Sequence, residues 1–170
     1  MKKIILFISI FFVWLFLTAE LYNLQYIKSL TPTPVKSKAG QPVKKTQRDI
    51  IVEAAKSLIG VDYWPGGQDT EYGYDCSGLT QYCYNKAGID IPRTAFTQYQ
   101  AAVKIEYSEI KKGDLLFFCT FSNCPNHVGI YIGKNRFIHA PAIGKQVREE
   151  SFFRPYYNER FVGAGRFIEN

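Results

Sequence analysis

Cys76 lies inside the tetrapeptide Asp75-Cys76-Ser77-Gly78, and the only two histidines of the chain, His127 and His139, follow it downstream. A thiol attacks an acyl carbon as thiolate, so it needs a base within hydrogen-bond reach and a third polar group to fix that base's tautomer. One cysteine and two histidines supply nucleophile, base and orienter with nothing left over. The setting of Cys76 favours its anion: Asp75 is a preferred N-cap type, and Leu79, Cys83 and Ala87 recur at helical spacing until Gly88. Unpaired N–H groups and the helix macrodipole at such an N-terminus lower a thiol pKa. The competing reading of the tetrapeptide alone is a buried structural cysteine, because cysteine is among the most buried residue types. A lone histidine is ordinarily a satisfied surface or sheet residue, so the chemical reading rests on the three residues together.

The elements that must position them form two groups. Thr46 and Asp49 open a capping-box pattern, and Ile50, Ile51, Ala54, Ala55, Leu58 and Ile59 then recur at helical spacing up to Gly60. Residues 61–74, rich in Gly, Tyr and Asp, read as a loop leading to the Cys76 helix, and Thr94 caps a third helix reaching about Ala102. Beyond Gly113 the segments 114–119, 127–132, 136–140, 145–150 and 163–168 are short, β-branched or aromatic, and read as strands. Helices first and strands afterwards predict an α+β domain with an antiparallel sheet of about five strands and the helices on one side.

Parity links the two histidines. If 127–132 and 136–140 form a hairpin, His127 and His139 share a face only when paired residue numbers sum to an even value. That requires an odd loop or a bulge around Gly133 to Asn135, and it sets His139 opposite Gly129 and diagonal to His127, with Gly129 leaving room for the rings.

Residues 1–28 begin with Lys2-Lys3, run apolar from Ile4 to Leu17 and reach a small residue at Ala19, the layout of a signal peptide. The imperfect cleavage site and the apolar Leu21, Tyr22 and Leu24 leave an N-terminal membrane anchor open as the alternative. Either way the remainder is expected outside the cytoplasm, in the periplasm or cell envelope, secreted or tethered. Residues 29–45, rich in Thr, Pro, Lys and Gln, read as a flexible linker, and 46–170 as one domain with a full core. The net charge of +6 carries no basic helix or nucleic-acid motif, so nucleic acid is not an expected partner and an anionic extracellular polymer fits better.

Cys83 reads as core. Cys119 and Cys124 are candidates for a disulfide that staples the loop before His127, with free thiols and metal binding as alternatives. Cys119, Cys124, His127 and His139 would make a Cys2His2 zinc set, but the spacing is not that of a standard finger and the Cys76 motif would go unexplained. No metal, no cofactor and a monomer are expected.

Asp75-Cys76-Ser77-Gly78-Leu79, Lys112-Gly113-Asp114-Leu115-Leu116-Phe117-Phe118, His127-Val128-Gly129-Ile130-Tyr131-Ile132-Gly133 and Phe137-Ile138-His139-Ala140 together resemble the NlpC/P60 cysteine peptidases, from about Ile50 to Ile168. The resemblance implies a papain-like fold and an endopeptidase that cuts peptidoglycan stem peptides next to a diamino acid, often after γ-D-Glu. It implies Cys76 as nucleophile, His127 as base and His139 as orienter. Tyr63 would lie near the oxyanion or substrate, and Asp75 and Ser77 match positions that in some members bind the free amino end of the stem peptide. Asp75 is equally explained as the N-cap, and Arg93 and Gln98 match a signature whose expected role is structural hydrogen bonding. The family's tryptophan ordinarily stands two residues after the tyrosine; here Trp64 follows Tyr63 directly and Pro65 takes that place. Two rival readings are a non-catalytic wall-binding module and a Cys-His amidase or acyltransferase acting on another acyl substrate.

Overall fold

The computed structural model describes residues 45–121 and 123–168. The expected signal or anchor segment at 1–28 and almost all of the expected linker at 29–45 lie outside the described residues. Helix α1 (Gln47–Ser57) starts where the capping box predicts: the Thr46 side chain accepts from the Asp49 N–H, and Asp49 answers at the Thr46 N–H. The 61–74 stretch is less irregular than expected, since β1 (Gln68–Asp69) and β2 (Gly73–Tyr74) pair within it. Helix α2 (Cys76–Lys86) is capped by Asp75 and stops before Gly88, whose φ of 75° a side chain would strain. Helix α3 (Ala95–Ala101) begins at the Thr94 cap.

The main sheet is antiparallel. It is built of β3 (Val103–Ile105), β4 (Leu115–Phe118), β5 (His127–Gly133), β6 (Arg136–His139), β7 (Arg148–Ser151) and β8 (Phe161–Arg166), in the order β3-β8-β4-β5-β6-β7. Among the described residues it has six strands where about five were expected. The extra one is β3, an edge strand of three mostly exposed residues, too short for its Val-Lys-Ile alternation to stand out. The expected strand at 145–150 begins only at Arg148, because Lys145 and Val147 hydrogen-bond to Gly60, Val61 and Tyr63 instead of continuing a ladder.

Strand β4 explains why Leu-Leu-Phe-Phe is apolar throughout. Leu115 and Phe117 enter the core under α1 and α2 with Ile51, Leu79, Cys83 and Ile130. Leu116 and Phe118 enter a second cluster on the other face, with Phe137, Phe152 and Tyr157. A strand covered on both faces cannot afford polar alternation, and each such side chain contributes about 1.5–3 kcal/mol on burial. The second face is closed by the short helix α4 (Pro155–Asn158), which the sequence reading did not contain.

At the start of β4, Asp114 is fully buried and fully paired. Arg48 Nη1 donates to its Oδ1 at 2.9 Å, Arg166 Nε and Nη2 donate at 2.9 and 2.8 Å, and the Lys111 N–H donates at 2.7 Å. This cluster ties α1, β4 and β8 together.

Candidate active site

Cys76 is the first residue of α2, and its neighbourhood is fixed by close backbone approach. A Cβ on Gly78 would stand 2.1 Å from the Gly67 carbonyl oxygen, so the first turn lies directly against the 61–74 segment. The Asp75 carboxylate caps α2 by accepting from the Gly78 N–H at 2.6 Å, and Arg93 clamps it with two hydrogen bonds of 3.0 and 2.6 Å. Arg93 also donates to Ser77 Oγ at 3.0 Å, and Ser77 is buried. Gln98, completely buried, bonds Thr80 Oγ1 and the carbonyls of Ser77 and Pro92. Arg93 and Gln98 therefore have the structural hydrogen bonds expected of them, and Asp75 is the N-cap.

The Cys76 thiol is free and half-buried. Its Sγ lies 4.0 Å from the Asn126 carbonyl oxygen and beside the Val128 N–H, the backbone groups on either side of His127. Its acidity runs against the sequence expectation. Burial and the Asp75 carboxylate push the thiol up to about 11, outweighing the N–H groups of Val128, Ser77 and Cys76 that pull it down. The helix terminus acts in the anticipated direction, but desolvation is larger.

The β5–β6 hairpin has the register that parity required. Ile130 pairs with Ile138 and Tyr131 with Phe137, and the register shifts between Tyr131 and Gly133, so a bulge sits at the turn. His127 Nε2 and His139 Nδ1 meet at 2.8 Å. Gly129 leaves the space: a Cβ there would be 2.6 Å from the Phe137 ring and 3.2 Å from His139 Cβ.

Both imidazoles are buried. Burial lowers His127 to about 4, and burial, the other imidazole and Arg148 lower His139 well below the ordinary histidine value. Two neutral rings sharing one hydrogen bond leave two tautomer arrangements. With the proton on Nε2 of each ring, His127 donates to His139 Nδ1 and keeps its own Nδ1 lone pair as a base; His139 Nε2 then faces Tyr157 Oη at 3.4 Å. Tyr157 is the residue that sequence reading missed. It lies on α4 in an aromatic run, and Pro155 at the first helical position was its one local signal.

Tyr63 lies close enough for the Cys76 and Asp75 charges to raise its phenol, after the larger effect of burial. Its N–H donates to the Lys145 carbonyl at 2.8 Å, and it lines a hollow of about 830 Å³ with Trp64, Tyr72 and Gln146. On the other side His127 lines a cleft of about 510 Å³ with Phe121, Lys145, Arg148, Arg154 and Tyr157. Cys119 and Cys124 are joined as a disulfide with Cα atoms 5.0 Å apart. Asn126, next to His127, holds the loop: its Oδ1 accepts from Thr120 N and Oγ1 at 2.9 Å, and its Nδ2 donates to the Phe121 carbonyl at 2.6 Å. Among the described residues no group of three His, Cys, Asp or Glu side chains is placed to hold a metal ion.

The NlpC/P60 family pattern matches residues 60–166. Murein DD-endopeptidase MepH of Escherichia coli is 42% identical over 114 residues, covering 65% of this chain and 42% of that protein. The probable peptidoglycan endopeptidase LytE of Bacillus subtilis is 40% identical over 117 residues, covering 69% and 34%. A solved NLP/P60 family protein from Staphylococcus aureus, described as similar to lipoprotein, superposes with a TM-score of 0.68 at 34% identity over 80% of this chain and 46% of that one. The chain belongs to the NlpC/P60 family, a family of cysteine peptidases. It spans less than half the length of these two curated relatives.

Proposed function

We propose that the protein is an exported cysteine endopeptidase that hydrolyses amide bonds in peptidoglycan stem peptides next to a diamino acid. The carrying observation is the Cys76 thiol set against the backbone on either side of His127, whose ring is in turn bonded to His139 at 2.8 Å. The resting pair is a neutral thiol and a neutral imidazole, because burial disfavours charge on both. The thiol proton therefore moves to His127 as sulfur attacks. A C–S bond forms, the carbonyl becomes an oxyanion, and the Cys76 N–H helps hold it. His127 then passes its proton to the departing amine as the C–N bond breaks. Water attacks the thioester carbonyl and gives a proton to His127; the C–S bond then breaks, the acid product leaves, and His127 returns that proton to sulfur, restoring the thiol.

His139 acts through its Nδ1 lone pair, which accepts from the imidazolium that forms in each half-reaction. Tyr63 is the candidate substrate contact on the acyl side. Asp75 and Ser77 can receive a free amino end only as additions to the Arg93 clamp, since their oxygens already take part in it. A second reading, cleavage of a DD bond, is favoured by the name of the E. coli relative. Export, with the N-terminal segment cleaved as a signal or kept as an anchor, follows from residues 1–28; among the described residues no helix is long and apolar enough to cross a membrane.

Digestion of defined muropeptides with mass analysis tests the reading. Product masses report the bond cut, and intact digestion by a Cys76→Ala protein would sink the mechanism.

A further inference from the structure

The cleft lined by His127 holds an imbalance of charge. Lys145, Arg148 and Arg154 line it, and the carboxylate near them is Glu150, which both arginines share at 3.2 and 2.9 Å. Among the described residues, the exposed Lys145 makes no side-chain ion pair, and the buried Arg148 Nε has no hydrogen-bond partner. Three cations against one anion leave an excess of two positive charges beside a catalytic base that itself stays neutral. Such a site gains by receiving an anion, and guanidinium and carboxylate geometries match in paired hydrogen bonds.

Position says which half of the substrate brings that anion. The departing nitrogen must come within hydrogen-bond reach of His127, so its substituent extends into the space that His127 lines. Cys76 and Tyr63 do not line this cleft; Tyr63 borders a second hollow, which meets the cleft at Lys145. We propose that the His127 cleft is the leaving-half subsite and selects a free carboxylate there, held by Lys145 and Arg148. This rests on the endopeptidase reading and adds to it a requirement on the amine product: it carries a carboxylate within a residue or two of the cut bond.

The test uses matched peptides whose leaving half carries each carboxylate either free or as the primary amide, one at a time, which also identifies the carboxylate that is read. The folded protein should prefer a free carboxylate by about tenfold or more in kcat/KM, the scale of a charge-assisted hydrogen bond. Lys145→Met and Arg148→Gln should each move that ratio towards one; where Arg148→Gln fails to fold, the exposed Lys145 carries the test. Equal cleavage of free and amidated peptides, or variants that keep the full preference, would overturn the subsite and leave the endopeptidase standing. Cleavage of neither form would overturn both.

Discussion

Two polar centres are buried at the two ends of β4, and they are built on opposite plans. At its start, Asp114 is charged, and every neighbour answers the charge: Arg48, Arg166 and a backbone N–H. At its end, Phe118 pairs with His127, and the line Cys76, His127, His139, Tyr157 contains only groups that burial holds neutral. The first centre spends its hydrogen-bonding capacity on the fold. In the proposed mechanism the second keeps a thiol and an imidazole nitrogen for chemistry and leaves charge to appear only during reaction. Desolvation lies behind both: it makes an unpaired ion intolerable at Asp114 and keeps the resting site uncharged at His127.

The largest effect that would separate the two plans is on turnover. Cys76→Ala should lower kcat by at least about 10⁴-fold while chemical denaturation gives a midpoint near that of the parent; a large stability loss would show that Cys76 belongs to the structural plan. Asp114→Ala should act on stability instead, removing the carboxylate that Arg48 and Arg166 share and costing about 3–5 kcal/mol in the same denaturation experiment.

Acid should also tell them apart. His127 has a folded pKa of about 4 against an unfolded value of 6.5, so between those limits the unfolded chain binds a proton that the native one does not. The stabilisation from neutral burial is complete above about pH 6.5 and is lost as pH falls towards 4, by roughly 3 kcal/mol for His127. Denaturation midpoints from pH 7 to 4 should fall for the parent and flatten in a His127→Gln, His139→Gln protein. Activity should persist below pH 6 and fail as His127 protonates, because an imidazolium cannot accept the thiol proton.

Smaller effects test the line link by link. His139→Asn should retain activity roughly tenfold or more above His139→Ala, since another hydrogen-bonding group can orient the base. Tyr157→Phe removes the hydroxyl at 3.4 Å from His139 and should cost only a few-fold in kcat, about 0.5–1 kcal/mol. Steady-state rates on one muropeptide decide both.

Much of this site was legible because its constraints are local. Thr46 with Asp49, Asp75 and Thr94 announce helix starts through their own side chains, and the parity rule stated the condition for His127 and His139 to share a face, an odd loop or a bulge near Gly133, which a bulge meets. What stayed hidden depends on packing between distant segments. Tyr157 reaches His139 only because α4 covers the second face of the sheet. The sign of the Cys76 shift was misjudged because a helix terminus is visible in sequence, whereas the desolvation that outweighs it comes from the assembled core. Strand β3 is too short for its pattern to be read: it is held by pairing with β8 and buries little of its own surface.

The hydrogen bond from Tyr63 to the Lys145 carbonyl has an evolutionary consequence. Lys145 holds Tyr63 through its carbonyl and lines both the Tyr63 hollow and the His127 cleft, the two ends of the proposed substrate groove. An insertion or deletion in the 141–146 turn would shift both ends of the groove together. Substrate preference can drift at one end alone only by exchange of side chains, so relatives that keep this turn length should diversify by substitution, and those that change it should acquire a new pair of preferences in a single step.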